Sequence, residues 1–135
     1  MTVSNLNYKI SGKNAIFTGL SAKKTAVTIP ATIKSGKTTY KVTAIAAGAL
    51  QNNKNVKSVK IGKNVKSIGK NAFAGCKNLK TVTIQTTSLT KKTVGADAFK
   101  NINAKAKIKV PGGKVKTYKA ILKKCGVKGK KQTIK

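Results

Sequence analysis

Almost every charged group in this chain is a lysine. The 135 residues hold 30 lysines against one acid, Asp97, with no His, Arg or Glu, for a formal charge of +29. An ammonium group can attract anions. It can also act as a nucleophile when neighbouring positive charges lower its pKa. The second use needs a polar partner to move protons, and general acid–base work at neutral pH needs His or a carboxylate. With 30 lysines and no such partner set, anion attraction is the chemistry the composition favours.

The same counts exclude whole classes of function. A glycosidase needs two carboxylates, and Asp97 stands alone. Ser–His–Asp and Cys–His pairs are ruled out without His. Two distant Cys and one Asp cannot cage zinc, calcium or magnesium. No glycine signature for a nucleotide is present. The expectation is no enzyme, no metal and no cofactor. Cys76 and Cys125, 49 positions apart, read as small buried hydrophobes rather than a disulfide. No segment is apolar enough to span a membrane, and Met1–Leu6 carries no apolar run, so no signal peptide is visible.

The elements that must position the lysines come from a repeat. Ile45, Leu50, Val56, Val59 and Ile61 recur 23 positions on as Ile68, Phe73, Leu79, Val82 and Ile84. A third copy, Phe99, Ile108 and Val110, follows at a displacement of 26, with an insertion near Thr86–Thr93 and Lys105 where an apolar residue is expected. A unit so short cannot bury a face alone, so the copies must stack into a solenoid. The expected architecture is an α/β repeat solenoid forming a single domain over residues 1–135. Residues 1–41 form a hairpin N-terminal cap, with turns at Ser11–Asn14 and Ser35–Lys37. Residues 42–112 are repeats, each with a short strand (Val59–Ile61, Val82–Ile84, Ile108–Val110) and a short helical turn (Ala46–Leu50, Lys70–Phe73, Ala96–Phe99). Val27–Ile29 joins the strand ladder as its first member. Residues 113–135 form a C-terminal cap with a helix, whose apolar face is Val115, Tyr118, Ile121, Leu122 and Cys125, and a last strand at Thr133–Ile134. Phe73 and Phe99 are core by this register.

The unit from Val65 to Ile84, with Ile68, Ala72-Phe73, Cys76, Leu79 and Val82-Thr83-Ile84, resembles the BspA-like leucine-rich repeats of bacterial surface proteins. The copy at 42–61 fits with Leu50 for Phe and Asn53 for Cys, and the copy at 94–111 keeps Ala98-Phe99 and Pro111. The resemblance implies a leucine-rich repeat fold and a secreted or cell-wall-associated protein, one segment of a longer chain or the whole of it, with adhesion as the usual role. It brings no catalytic residues.

The lysines follow the repeat. Lys54 and Lys77 are 23 apart, as are Lys57 and Lys80. Lys60 and Lys109 take the outward centres of their strands, where Thr28 and Thr83 stand in the others. These six lysines are the candidate polyanion-binding residues. Their partner would be a host or cell-wall macromolecule such as teichoic acid or a sulfated glycan. Non-specific nucleic-acid binding fits the charge equally, but base recognition does not, for want of Arg and of exposed aromatics. The functional expectation is a non-catalytic surface binding or adhesion module. The alternatives are a spacer or cap of a larger wall-retained protein, a nucleic-acid-binding protein, and a plain solvated coat.

Overall fold

The computed structural model describes residues 1–135. It is built mostly of strands, with one helix. The strands are β1 (Thr2–Val3), β2 (Leu6–Ser11), β3 (Asn14–Leu20), β4 (Ala26–Ile29), β5 (Thr32–Ser35), β6 (Thr38–Ile45), β7 (Ser58–Ile61), β8 (Ser67–Ile68), β9 (Thr81–Ile84), β10 (Lys107–Lys109) and β11 (Thr133–Ile134), and α1 spans Val115–Lys124.

The expected strand ladder forms in the expected register. β4, β7, β9, β10 and β11 make one wholly parallel sheet. Val27, Val59, Val82, Ile108 and Ile134 lie side by side across it. The first four of these are buried and their strand neighbours mostly exposed, so the period of two places one row in the core and the next in water. A second ladder runs down another side, Ile45 to Ile68 to Val94. It continues a mixed sheet in which β2 and β3 form the N-terminal hairpin, closed by Ser11–Asn14, and β5 and β6 a second one, closed by Ser35–Thr38.

The third side corrects an expectation. The segments at 46–50, 70–73 and 96–99 are turns, not helices, so the α/β mixture reduces to α1 alone. The backbone shows why. Each turn carries two residues with positive φ: Gly48 and Asn52, then Asn71 and Gly75, then Asp97 and Asn101. Left-handed residues interrupt a right-handed helix, and Gly, Asn and Asp are the types that tolerate them. Half of the turn's N–H groups then point to the next repeat instead of up a helix. Leu50 N–H donates to Ala72 O at 2.7 Å, and Phe73 N–H to Ala98 O at 2.7 Å. The chain's only acid thus occupies a slot held by Gly48 and Asn71 in the other copies, which accounts for Asp97 without any chemistry. Gly69 and Gly95 mark the tightest stacking, since a Cβ there would collide with the backbone of Ala47 and of Lys70 in the neighbouring copy.

One apolar core of 34 buried residues runs from Leu6 to Val127. Phe73 and Phe99 are completely buried, and their rings stack at 5.0 Å and 15°. Lys105 is exposed where the register expects an apolar residue, and Ile102 and Ala106 are buried on either side of it. Cys76 and Cys125 are free and buried. The Cys76 thiol donates to Leu50 O at 3.0 Å, and burial pushes its pKa up to about 11. Burial also raises Cys125, helped by the negative charge of Asp97.

The insertion is held by a set of bonds that no other copy has. Thr86, the one buried polar residue, donates its hydroxyl to Val65 O at 2.6 Å. Tyr118 on α1 donates to Thr86 O at 2.7 Å and accepts from Leu89 N–H at 3.2 Å. The helix therefore docks on the insertion, with Tyr118, Ile121 and Leu122 buried. Val115, expected on that apolar face, is 38% exposed. It lies at the first position of the helix, before the turn that meets the core.

Candidate functional site

The outward face of the parallel sheet carries two rows of side chains. One row reads Thr28, Lys60, Thr83, Lys109. The other reads Ala26, Ser58, Thr81, Lys107, Thr133. Lys60 and Lys109 are two strands apart, roughly 10 Å at ~4.8 Å per strand, with Thr83 between them. Threonine in the intervening place keeps like charges from standing directly opposite each other across the ladder, an arrangement that destabilises a sheet. It also supplies a neutral hydroxyl between two ammonium groups.

The remaining four candidates lie at the corner that enters this sheet. Lys57 and Lys80 precede β7 and β9, and Lys80 N–H donates to Lys57 O at 2.9 Å, so they are stacked neighbours. Lys54 and Lys77 sit one turn earlier. Their carbonyls are tied between copies, because Asn78 Nδ2 donates to Lys54 O at 2.7 Å and Asn103 Nδ2 to Lys77 O at 3.2 Å. The structure thus sorts the six into an outward pair on the strands and a stacked quartet at the corner. All six are exposed.

Two further lysines belong to the face. Lys107 projects outward two residues before Lys109, as the period of two in Lys107-Ile108-Lys109 already implied. Lys135 follows β11 directly and is pinned beside β10, its N–H donating to Ile108 O at 2.9 Å and its carbonyl accepting from Val110 N–H at 3.2 Å. The pairing of β11 with β10 is what brings it there, and that contact is not readable from the 23-residue register. Gln132 extends the amide ladder, donating from Nε2 to Asn103 O at 2.9 Å.

Chemically the face offers ammonium groups, hydroxyls and no acid. No trio of His, Cys, Asp or Glu is grouped to hold a metal ion. The aromatics Tyr8, Phe17, Phe73, Phe99 and Tyr118 are buried and Tyr40 is half-buried, so bases would find no stacking platform. No helix is long and apolar enough to cross a membrane.

Comparison with known proteins agrees with this architecture. A leucine rich cell surface protein from Faecalibacterium prausnitzii shares 26% identity with the chain at a TM-score of 0.66, over 84% of this chain and 37% of its own. A leucine-rich repeat protein from Bacteroides capillosus superposes at a TM-score of 0.67 and 19% identity, over 100% of this chain and 97% of its own, a likeness of fold alone. A third, from Bacteroides ovatus, gives 0.59 at 21% identity over 84% of this chain and 36% of its own. The chain therefore spans about a third of the Faecalibacterium and Bacteroides ovatus proteins. No curated protein matches it. The family model of the BspA type leucine rich repeat region (6 copies) matches residues 43–127, and the chain belongs to that family.

Proposed function

We propose that this chain is a non-catalytic surface binding module whose basic sheet face engages a polyanion of the host or the cell wall. The observation that carries the reading is the row Thr28–Lys60–Thr83–Lys109, in which lysine and threonine alternate across four parallel strands on an exposed face without a carboxylate. A periodic row of point charges suits a polymer with periodic anionic groups. The lack of Arg and of exposed aromatics favours attraction by charge over reading of bases. Surface association is supported by the family and by the Faecalibacterium relative, which is described as a cell surface protein. The same family likeness supports the division into an entry cap at 1–41, repeats at 42–112 and a closing segment at 113–135. In it α1 would close the stack, since Phe99 N–H donates to Cys125 O, where an earlier copy meets the next repeat.

The test is a titration of heparin and of poly(glycerol phosphate) at several salt concentrations. Binding should fall steeply, with log K linear in log salt. Lys60→Thr with Lys109→Thr should lower the slope by about one to two, since each released contact contributes nearly one unit. The same exchange at Lys13 and Lys37, in the hairpin turns, should change it little. Equal losses from the two double variants would reduce the face to part of a generally basic coat.

A further inference from the structure

Lysines are densest at the C-terminal end, where nine of residues 113–135 are lysine. Part of this charge lines a groove between α1 and the segment that follows it: Lys119, Lys123, Lys128, Lys130 and Lys135, with Val127 and Ile134 as its only apolar walls and no acid. A second concavity lies on the sheet face against Thr81, Thr83, Lys107 and Lys109. Thr133 and Lys135 line both. The two depressions are therefore contiguous. Lys135 stands at the bend, held in place by its bonds to β10.

We infer that the sheet face and this groove form one cationic track, which takes a flexible, single-chain polyanion bearing sulfate or phosphate groups and bends it round the β11 edge. The inference rests on the proposed sheet-face reading and extends it. The track begins at Lys60, crosses three strand steps to β11, roughly 14 Å at ~4.8 Å each, and turns into the groove. Field lines concentrate in a cleft lined by one sign of charge, so the groove, not the open sheet, supplies the stronger attraction. The bend selects the polymer. Duplex DNA has a persistence length of about 50 nm and cannot follow a turn of this radius cheaply. Single-stranded nucleic acid would forgo its stacking energy on a face without aromatics. A sulfated glycan or a polyol phosphate loses neither. Lysine's compact ammonium pairs with such groups as a point charge and needs no planar fork.

The experiment compares three forms of the protein by calorimetric titration with size-defined heparin oligosaccharides, with poly(glycerol phosphate) of matched charge and with a 20-base-pair duplex. The groove form carries Lys119→Gln, Lys123→Gln and Lys130→Gln. A control form carries Lys13→Gln, Lys23→Gln and Lys37→Gln, and a third has Arg at the three groove positions. All six positions are exposed, and the melting temperature of each form is measured first. The unaltered protein should bind longer oligosaccharides progressively more tightly until the track is filled. The groove form should lose that length dependence and at least tenfold in affinity for the longest. The Arg form should retain both, which separates lost charge from lost structure. The duplex should lose no more than it does with the control form. Whichever single-chain polymer binds more tightly at matched charge identifies the source of the anionic groups. A groove form no weaker than the control form would overturn the track, even with the Lys60 and Lys109 pair still mattering on the sheet. A duplex weakened as much as the glycan would overturn the bend.

Discussion

The copies that end at β9 and at β10 bury the same kinds of residues by different means. The first, residues 62–84, follows the 23-residue register at every core position. It is held by bonds that recur from copy to copy: strand to strand, turn to turn, and the amides of Asn78 and Asn103 to the carbonyls of Lys54 and Lys77. The second, residues 85–110, has three extra residues, and its extra loop is anchored by bonds found once, from Thr86 and Tyr118. A regular copy therefore depends on its neighbours equally, whereas the irregular copy depends on α1. The insertion is tolerated here because Thr86 and Leu89, which it buries, find specific partners for the Thr86 hydroxyl, the Thr86 carbonyl and the Leu89 N–H.

That contrast breaks first at the stacked rings. Phe73→Ala should cost ~3–5 kcal/mol, because it leaves a cavity against Phe99 in a core closed to solvent. Denaturant unfolding would measure the loss, which should be cooperative and shared by all copies. A loss confined to one region would mean that the copies do not support one another.

Tyr118→Phe should cost less, ~1–3 kcal/mol, since it strands Thr86 O and Leu89 N–H in a buried place while keeping the ring. Its signature should be local. Amide exchange at Leu89 and along α1 should quicken before any change at Val59 or Val82. Uniform acceleration across the chain would show that the insertion is no more dependent on α1 than the regular copies are.

Much of this contrast is legible in the residues. The ladder of Val27, Val59, Val82 and Ile108 follows from recurring triplets with apolar ends and a polar centre, and the burial of Phe73 and Phe99 follows from their shared place in the repeat. The solenoid itself needs no more than that. The turns are less legible. The alanines look helical by propensity, and the positive φ of Asn71 or Asp97 is a tertiary demand that only the alignment of Gly48, Asn71 and Asp97 in one slot hints at. The Tyr118–Thr86 contact joins residues 32 apart with no repeat to relate them, so nothing in the spacing points to it. Of the candidate face, the outward pair was legible through the period of two. Lys135 was not, because its place depends on how β11 returns to β10.

Asp97 sharpens the comparison further. In its slot the regular copies use Gly48 and Asn71, so the carboxylate is there for backbone reasons. Asp97→Asn should change stability by no more than about 0.5 kcal/mol, and Asp97→Ala should cost about 1 kcal/mol, since Ala tolerates the left-handed backbone less well than Asp or Asn. Thermal melts of the two would separate conformation from charge. Equal losses in both would assign the residue an electrostatic role among its lysines.

The smallest effect expected is that of salt, and it should fall on the region where charge is densest. On α1, Lys116 with Lys119 and Lys119 with Lys123 are like-charged neighbours one turn apart, with no acid in the first turn to offset them. Each such pair costs an isolated helix ~0.2–0.5 kcal/mol, and Lys123 and Lys124 recover part of this by lying in the last turn, where the dipole favours cations. Between 0.01 and 0.1 M salt the Debye length falls from about 30 Å to about 10 Å, which screens the wider +29 field but only partly the pairs in contact. Amide exchange in α1 should therefore slow by about two- to threefold over that range, against little change in β7 and β9, whose outward lysine Lys60 is separated from the next by Thr83. The regular copies are already spaced against self-repulsion, and the helix is not. Equal slowing in both regions would mean that repulsion acts on the molecule as a whole and that the alternation of lysine with threonine on the sheet does not relieve it.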